Sequence, residues 1–434
     1  MNRRRGRPWG VLAPLTVAAL AVSACASARD SSENSSSPSI GAPVVATTTD
    51  VPPAPSETDA SNTAVPASST VPPSGPSSGP STTTTRPKPT TTTTTTPPLQ
   101  EIDWDVFDIS LTDQIVNGGS RAASVAVALD GRIVHRGAYG QRVPGEALAP
   151  SDRFRVASIS KPILSATVLR LVDEGELSLD KPVLEMVAQH LGVPLTDPRA
   201  ARVTVRQLLA HTSGFGEFEN ELFYGGSMSC SHAASIAFAE ALDAGPGKDF
   251  LYSNMNFCLL GLVVEAAQDT PFQRVVQREV LRPVGVTDMR TAGTRDVRAN
   301  DVLHDVAPGR TFMETLGAAG TWIATPSDIV KFGDSLDPAK PGAHPVSRRT
   351  LATMRKPSSP RPPGTPRRDL WYGLGLMVWR DGSFGHTGTL ENTHAMFLVR
   401  PDGVTWAVLV SGENPWSSLE LRGMVDEALL AALR

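Results

Sequence analysis

Residues 156–173 read VASISKPILSATVLRLVD. Ser158 stands three positions before Lys161, and Ile163, Val168, Leu169 and Leu171 follow at helical spacing to about Asp173. An S-x-x-K at the head of an apolar helix suits nucleophilic chemistry. A serine in the first turn feels the positive end of the helix dipole, which favours a developing alkoxide. Its backbone N–H has no partner inside the helix and can donate to an oxyanion. Lys161 comes one turn later on the same face. Burial among Ile159, Ile163 and Leu164 would lower its pKa and make it a base. The pattern recurs at Ser178-Leu179-Asp180-Lys181, but in a polar stretch before Pro182, a poor place to bury a lysine.

Outward from this helix the chain alternates in texture. Residues 104–116 read as a short helix. Ser124–Leu129 reads as a strand, Asp130-Gly131 as a hairpin turn and Arg132–Tyr139 as the return strand. Helices are expected over Thr204–Ala210, Asn254–Ala267, 272–281 and from Pro326 toward Leu336. The last hundred residues turn to strands: Leu374–Trp379, Thr393–Arg400 and Thr405–Ser411, with turns at Asp381-Gly382 and Asp402-Gly403. A helix closes the chain over 417–433. This is an α+β layout: an antiparallel sheet built from both chain ends and flanked by helices, plus an all-helical subdomain from the middle.

Two further motifs follow S-x-x-K in order. Tyr252-Ser253-Asn254 is Y-x-N, and His386-Thr387-Gly388 is K-T-G with histidine for lysine. A tyrosine beside an ammonium has a lowered pKa, so Tyr252 and Lys161 can share the proton that leaves Ser158. A Thr-Gly pair on an edge strand lets a substrate backbone approach closely. The N–H of Thr389 would be a second oxyanion donor. His211, in the loop His211-Thr212-Ser213-Gly214, reads as a structural residue, and His386 and His394 read as strand residues. None of the eight histidines sits in H-E-x-x-H or a Cys/His cluster, so no metal and no cofactor is expected.

On SISK, YSN and HTGT, supported by HTSG at 211–214 and the Gly317–Asp328 stretch, residues 101–434 resemble the β-lactamase-related serine hydrolases. That group comprises class C β-lactamases, serine DD-peptidases and esterases of the same fold. The resemblance implies Ser158 as nucleophile and Lys161 with Tyr252 as the base pair. It implies Asn254 as a hydrogen bonder to substrate, and His386, Thr387, Gly388 and Thr389 as the binding strand. Histidine at 386 is similar to one branch of the DD-peptidases and to some esterase relatives. The function implied is acyl transfer through Ser158, of D-alanyl-D-alanine carboxypeptidase type or related amide and ester hydrolysis. A β-lactamase or carboxylesterase is the alternative within the fold. A non-catalytic penicillin- or muropeptide-binding lipoprotein is the alternative outside it. The expected partner is a small-molecule or peptide substrate, such as a peptidoglycan stem peptide or a β-lactam.

The first hundred residues carry no domain. Arg3, Arg4, Arg5 and Arg7 precede the uncharged apolar run Val11–Val22, which is shorter than the ~20 residues that span a bilayer. Val22-Ser23-Ala24-Cys25 then resembles a lipobox, making 1–24 a lipoprotein signal and Cys25 the lipidation site. Residues 25–100 are a Ser/Thr/Pro-rich linker, with threonine runs at 82–85 and 90–96, too poor in large apolar side chains to fold. The G-x-S-x-G at 75–79 lies in this tract, without the strand–turn–helix that such an elbow needs. The expectation is an exported domain, lipid-anchored to the outer face of the bacterial cell membrane. Cys230 and Cys258 are the cysteines left after Cys25 and are expected to pair in an oxidising compartment. Seven of the 40 Lys+Arg and five of the 44 Asp+Glu precede residue 101, so the remainder is mildly acidic. That excludes the basic face of a nucleic-acid binder.

Overall fold

A computed structural model describes residues 102–216, 223, 229–359 and 369–433. The signal, Cys25 and the linker expected from the sequence lie outside the described residues. The helices are α1 Trp104–Leu111, α2 Ser160–Asp173, α3 Leu184–Leu191, α4 Val205–Leu209, α5 Cys230–Ala239, α6 Asn254–Gln268, α7 Phe272–Val276, α8 Met313–Leu316, α9 Pro326–Ser335, α10 Arg348–Met354 and α11 Glu420–Ala431. The strands are β1 Ala122–Leu129, β2 Arg132–Val143, β3 Glu146–Ala147, β4 Phe154–Arg155, β5 Arg290–Thr291, β6 Trp322–Ala324, β7 Leu370–Tyr372, β8 Met377–Trp379, β9 Phe384–Leu390, β10 Thr393–Val399 and β11 Val404–Ser411.

The main sheet has the order β3-β2-β1-β11-β10-β9-β8-β7, with every pairing antiparallel. Its two halves come from opposite ends of the chain and join where β1 lies along β11, from Ala122 opposite Ser411 to Leu129 opposite Val404. The β1–β2 hairpin turns on Asp130 and Gly131, both at positive φ, as a tight two-residue turn requires. Both faces are covered. Val125, Val127, Trp406 and Val408 pack on Phe107 and Leu111 of α1 and Leu421 and Val425 of α11. The other face, with Ala126, Phe397 and Leu409, packs on Ile329 and Phe332 of α9 and on the mid-chain helices.

At the centre lies α2, buried from Ser160 to Leu169 on every side, where the sequence pattern had indicated one apolar face. Several elements escaped the sequence reading. Strands β4, β5 and β6 form a second sheet, in the order β4-β6-β5, from two- and three-residue pieces too short for a period-2 signal. Helices α3, α5 and α10 and strand β7 were also not anticipated. The strand expected over 374–379 is pared to β8. Gly375, at φ +77°, turns the chain onto α2, where an added Cβ would meet Ser165 Oγ at 1.8 Å. Among the described residues, no helix is long and apolar enough to cross a membrane.

Candidate active site

The chain enters α2 through a sharp turn. Val156 ends the short sheet's approach, Ala157 takes φ +48°, and a 3-10 turn over Ala157–Ile159 runs into the helix. A positive φ at a residue with a Cβ is uncommon and is tolerated where the surroundings fix it. The result is that Ser158 is half-buried while its neighbours Ala157, Ile159, Ser160 and Lys161 are fully buried.

Lys161 Nζ lies 2.9 Å from Ser158 Oγ, 2.9 Å from Asn254 Oδ1 and 3.1 Å from the carbonyl of Ala319. Burial lowers its pKa from 10.5 to about 7. The three neighbours suit both protonation states. The ammonium donates to all three. The neutral amine donates to Asn254 and Ala319 and turns its lone pair to the Ser158 O–H. An unprotonated amine at 2.9 Å can take a hydroxyl proton. In the second S-x-x-K, Lys181 is exposed.

Tyr252 joins this pair through its ring face, whose centroid lies 5.1 Å from Lys161 Nζ; the Phe257 centroid lies at 5.7 Å. Behind Tyr252 stands His211, ring to ring at 4.3 Å. His211 Nδ1 accepts from the Ser253 amide at 3.2 Å and lies 3.1 Å from Asn256 Nδ2. It is a buried residue that fixes the entry to α6, as the structural reading of its loop implied. Burial, aided by nearby Lys161, keeps its imidazole neutral.

The binding strand is held by contacts with its neighbours. The carbonyl of Thr387 lies 2.6 Å from His386 Nδ1, and Tyr372 donates its hydroxyl to His386 Nε2 at 2.9 Å. The imidazole is 1% exposed, and burial lowers its pKa to about 3. Burial therefore favours the neutral imidazole at working pH. The kcat/KM ratio of an anionic to a neutral substrate is expected to stay flat from pH 5.5 to 8. A ratio that falls severalfold across that range would mean a protonating His386. Thr387 and Thr389 lie on the same strand. Side chains alternate along a strand, so these two share the face opposite His386 and Gly388, with Thr387 Oγ1 3.7 Å from Met377 Sδ and Thr389 Oγ1 2.7 Å from Ser418 Oγ. β9 is interior to the sheet, but β8 pairs only to Phe384 and Gly385, so among the described residues 386–390 is an edge on that side.

Gly388 is where β9 meets the Ser158 turn. An added Cβ there would lie 2.2 Å from the Val156 carbonyl oxygen and 3.1 Å from Ala157 Cβ. Gly388→Ala is therefore expected to push the strand off the turn and lower kcat/KM about 100-fold, the scale of an ångström's misplacement. Steady-state kinetics with a melting curve check this; full activity would mean that the strand does not frame the site.

Sequence reasoning brought Ser158, Lys161, Tyr252, Asn254 and Gly388 to one place. It missed the Ala319 carbonyl and Tyr372. A backbone acceptor carries no residue signature, and Tyr372 comes from a three-residue strand. Cys230 and Cys258 are bridged, Cα to Cα 5.7 Å. Among the described residues there is no group of three His, Cys, Asp or Glu that could hold a metal ion.

A family profile described as beta-lactamase matches residues 109–430. Esterase EstB of Burkholderia gladioli is 32% identical over 222 residues, 47% of this chain and 54% of that protein. Penicillin-binding protein 4 of Amycolatopsis lactamdurans is 28% identical over 345 residues, 73% of this chain and 86% of that one. The chain spans about a third to a half of the length of several curated relatives it matches. Among solved structures, the D-amino acid amidase of Ochrobactrum anthropi SV3 superimposes with a TM-score of 0.62 at 22% identity, covering 75% of this chain and 97% of that one.

Proposed function

The chain belongs to the beta-lactamase family, and from that premise we propose that it is a serine hydrolase working through an acyl-enzyme on Ser158. The observation that carries the reading is the buried Lys161 amine, 2.9 Å from Ser158 Oγ. Lys161 takes the Ser158 proton, and Oγ attacks the substrate carbonyl. The tetrahedral oxyanion is received by the backbone N–H groups of Ser158 and Thr389. Lys161, with Tyr252 beside it, passes the proton to the leaving amine or alcohol. Water then enters by the same base and releases the acid.

The substrate class we infer is a peptide or amide of a D-amino acid, of D-alanyl-D-alanine carboxypeptidase type. Likeness to a penicillin-binding protein over most of both chains supports it. A second reading, a carboxylesterase, is favoured by the neutral, buried His386, which supplies no cation for a substrate carboxylate. Turnover of a D-alanyl-D-alanine peptide, D-phenylalanine amide and a p-nitrophenyl ester, with hydroxylamine present, tests both. Hydroxamate that forms with wild type and not with Ser158→Ala is expected, and the preferred substrate chooses between the readings. Absence of hydroxamate from all three would sink the acyl-enzyme. We further propose export and lipid anchoring at Cys25, tethered by residues 25–100. Cys25→Ser should move the protein out of the membrane fraction, and retention there would refute the anchor.

A further inference from the structure

We propose that the Cys230–Cys258 bridge is a positioning element for the Ser158–Lys161 pair, holding together the two partners against which the Lys161 amine is set. The inference rests on the acyl-transfer reading above. Cys258 lies one turn after Asn254 in α6, and its neighbour Phe257 presents its ring to Lys161 Nζ. Cys230 opens α5. Beside it runs the turn Gly317–Ala319, which ends on the carbonyl that accepts from Lys161. Gly317 takes φ +50°, and a Cβ on it would lie 3.0 Å from Cys230 Cβ and 3.5 Å from Cys230 Sγ. On its other side the turn touches α6, where a Cβ on Gly261 would lie 2.7 Å from Ala318 Cβ. The turn is thus wedged between the bridge and α6. Two of the three hydrogen bonds to Lys161 run into elements that meet at the bridge.

The close approach of the turn to α6 is made by small residues, Ala318 of the turn and Gly261 of α6. Small side chains bury little apolar area each, so packing alone fixes the spacing weakly. The covalent tie fixes it. Without the bridge, α6 and the turn can part and water can reach the amine. The titratable groups facing Lys161 are Tyr252 ahead of α6, His211 in the loop after α4 and His386 on β9, with Tyr372 of β7 behind His386. Among the described residues none of these is a carboxylate, and burial is what lowers the Lys161 pKa, so hydration is what the bridge controls, and losing it moves the base form to higher pH.

The test compares kcat/KM from pH 5.5 to 9.5 in wild type, in Cys230→Ala/Cys258→Ala and in Val425→Ala, a buried change on the far face of the sheet. The double variant should lose about 100-fold at pH 6.5. Its inflection should rise, so that the deficit shrinks at least tenfold by pH 9. Val425→Ala should lower the melting temperature and leave the inflection in place. A deficit that is the same at every pH, or none, would overturn the proposal. So would two free thiols in untreated protein, read by alkylation and intact mass. If the double variant does not fold, native wild type reduced with a phosphine serves below pH 8, and unfolding there overturns the proposal too. The 13C titration of Lys161 in Ser158→Ala protein, with and without the bridge, separates this claim from the acyl-transfer reading. A bridge-dependent titration without turnover sinks only that reading; an unmoved titration sinks only this one.

Discussion

Ser158→Ala should lower kcat/KM for every substrate by roughly 10⁵-fold or more, the scale seen when a serine nucleophile is removed from a preformed site. The substitution deletes one oxygen from a half-buried position at the head of α2. It removes the hydroxyl 2.9 Å from the Lys161 amine and leaves the turn over Ala157–Ile159 intact. Stability should therefore change little while activity disappears. Ser178→Ala, in the second S-x-x-K, should leave kinetics unchanged, because Lys181 beside it is exposed. Steady-state assays with melting curves on the three proteins read both effects. A Ser158→Ala protein retaining a tenth of wild-type activity would refute the assignment.

Lys161→Met should cost about 10³- to 10⁴-fold in kcat/KM, the upper range for loss of a general base. It should also change stability in a pH-dependent way. Burial lowers the folded-state pKa to about 7 from an ordinary 10.5. Below about pH 7 the folded and unfolded chains both hold the proton, and the cost of burying the ammonium is complete. Between pH 7 and 10.5 the folded chain has shed the proton while the unfolded chain keeps it, and the cost shrinks with each unit. Methionine escapes this cost, so its stability relative to wild type should be greatest at or below pH 7 and should decline toward pH 10.5. The hydrogen bonds lost at Asn254 and Ala319 add an offset that pH does not change. Denaturant midpoints at pH 6, 8 and 10 measure the slope. A difference that is constant with pH would mean that Lys161 carries an ordinary pKa in the fold. The wild-type rate should rise with pH through about 7, because the neutral amine is the working form.

The three motifs were legible because each places its chemistry within a few residues. Ser158 and Lys161 share one helical turn, Tyr252 and Asn254 flank the start of α6, and Gly388 is needed where β9 crosses the Ser158 turn. The sheet's assembly from both ends was legible in strands of seven and eight residues, such as β1, β10 and β11. Side-chain direction on β9 was less legible. The motif names His386, Thr387 and Thr389 together, but alternation sends the two threonines to one face and leaves the histidine on the other, tied to Tyr372. The charge state of His386 likewise depends on burial beneath β7, which lies outside any local pattern. The Ala319 carbonyl was hidden for a similar reason. It comes from a Gly-Ala-Ala turn that carries no reactive side chain and reaches Lys161 only once α6 and α2 are packed.

The most direct test of the central claim is to find which residue becomes acylated. Purified protein is treated with a fluorophosphonate or a penicillin, its intact mass is recorded, and the adduct is mapped by peptide sequencing. The account predicts one adduct, on Ser158, present in wild type and Ser178→Ala and absent from Ser158→Ala. An adduct on any other residue, or one that persists in Ser158→Ala, would contradict it.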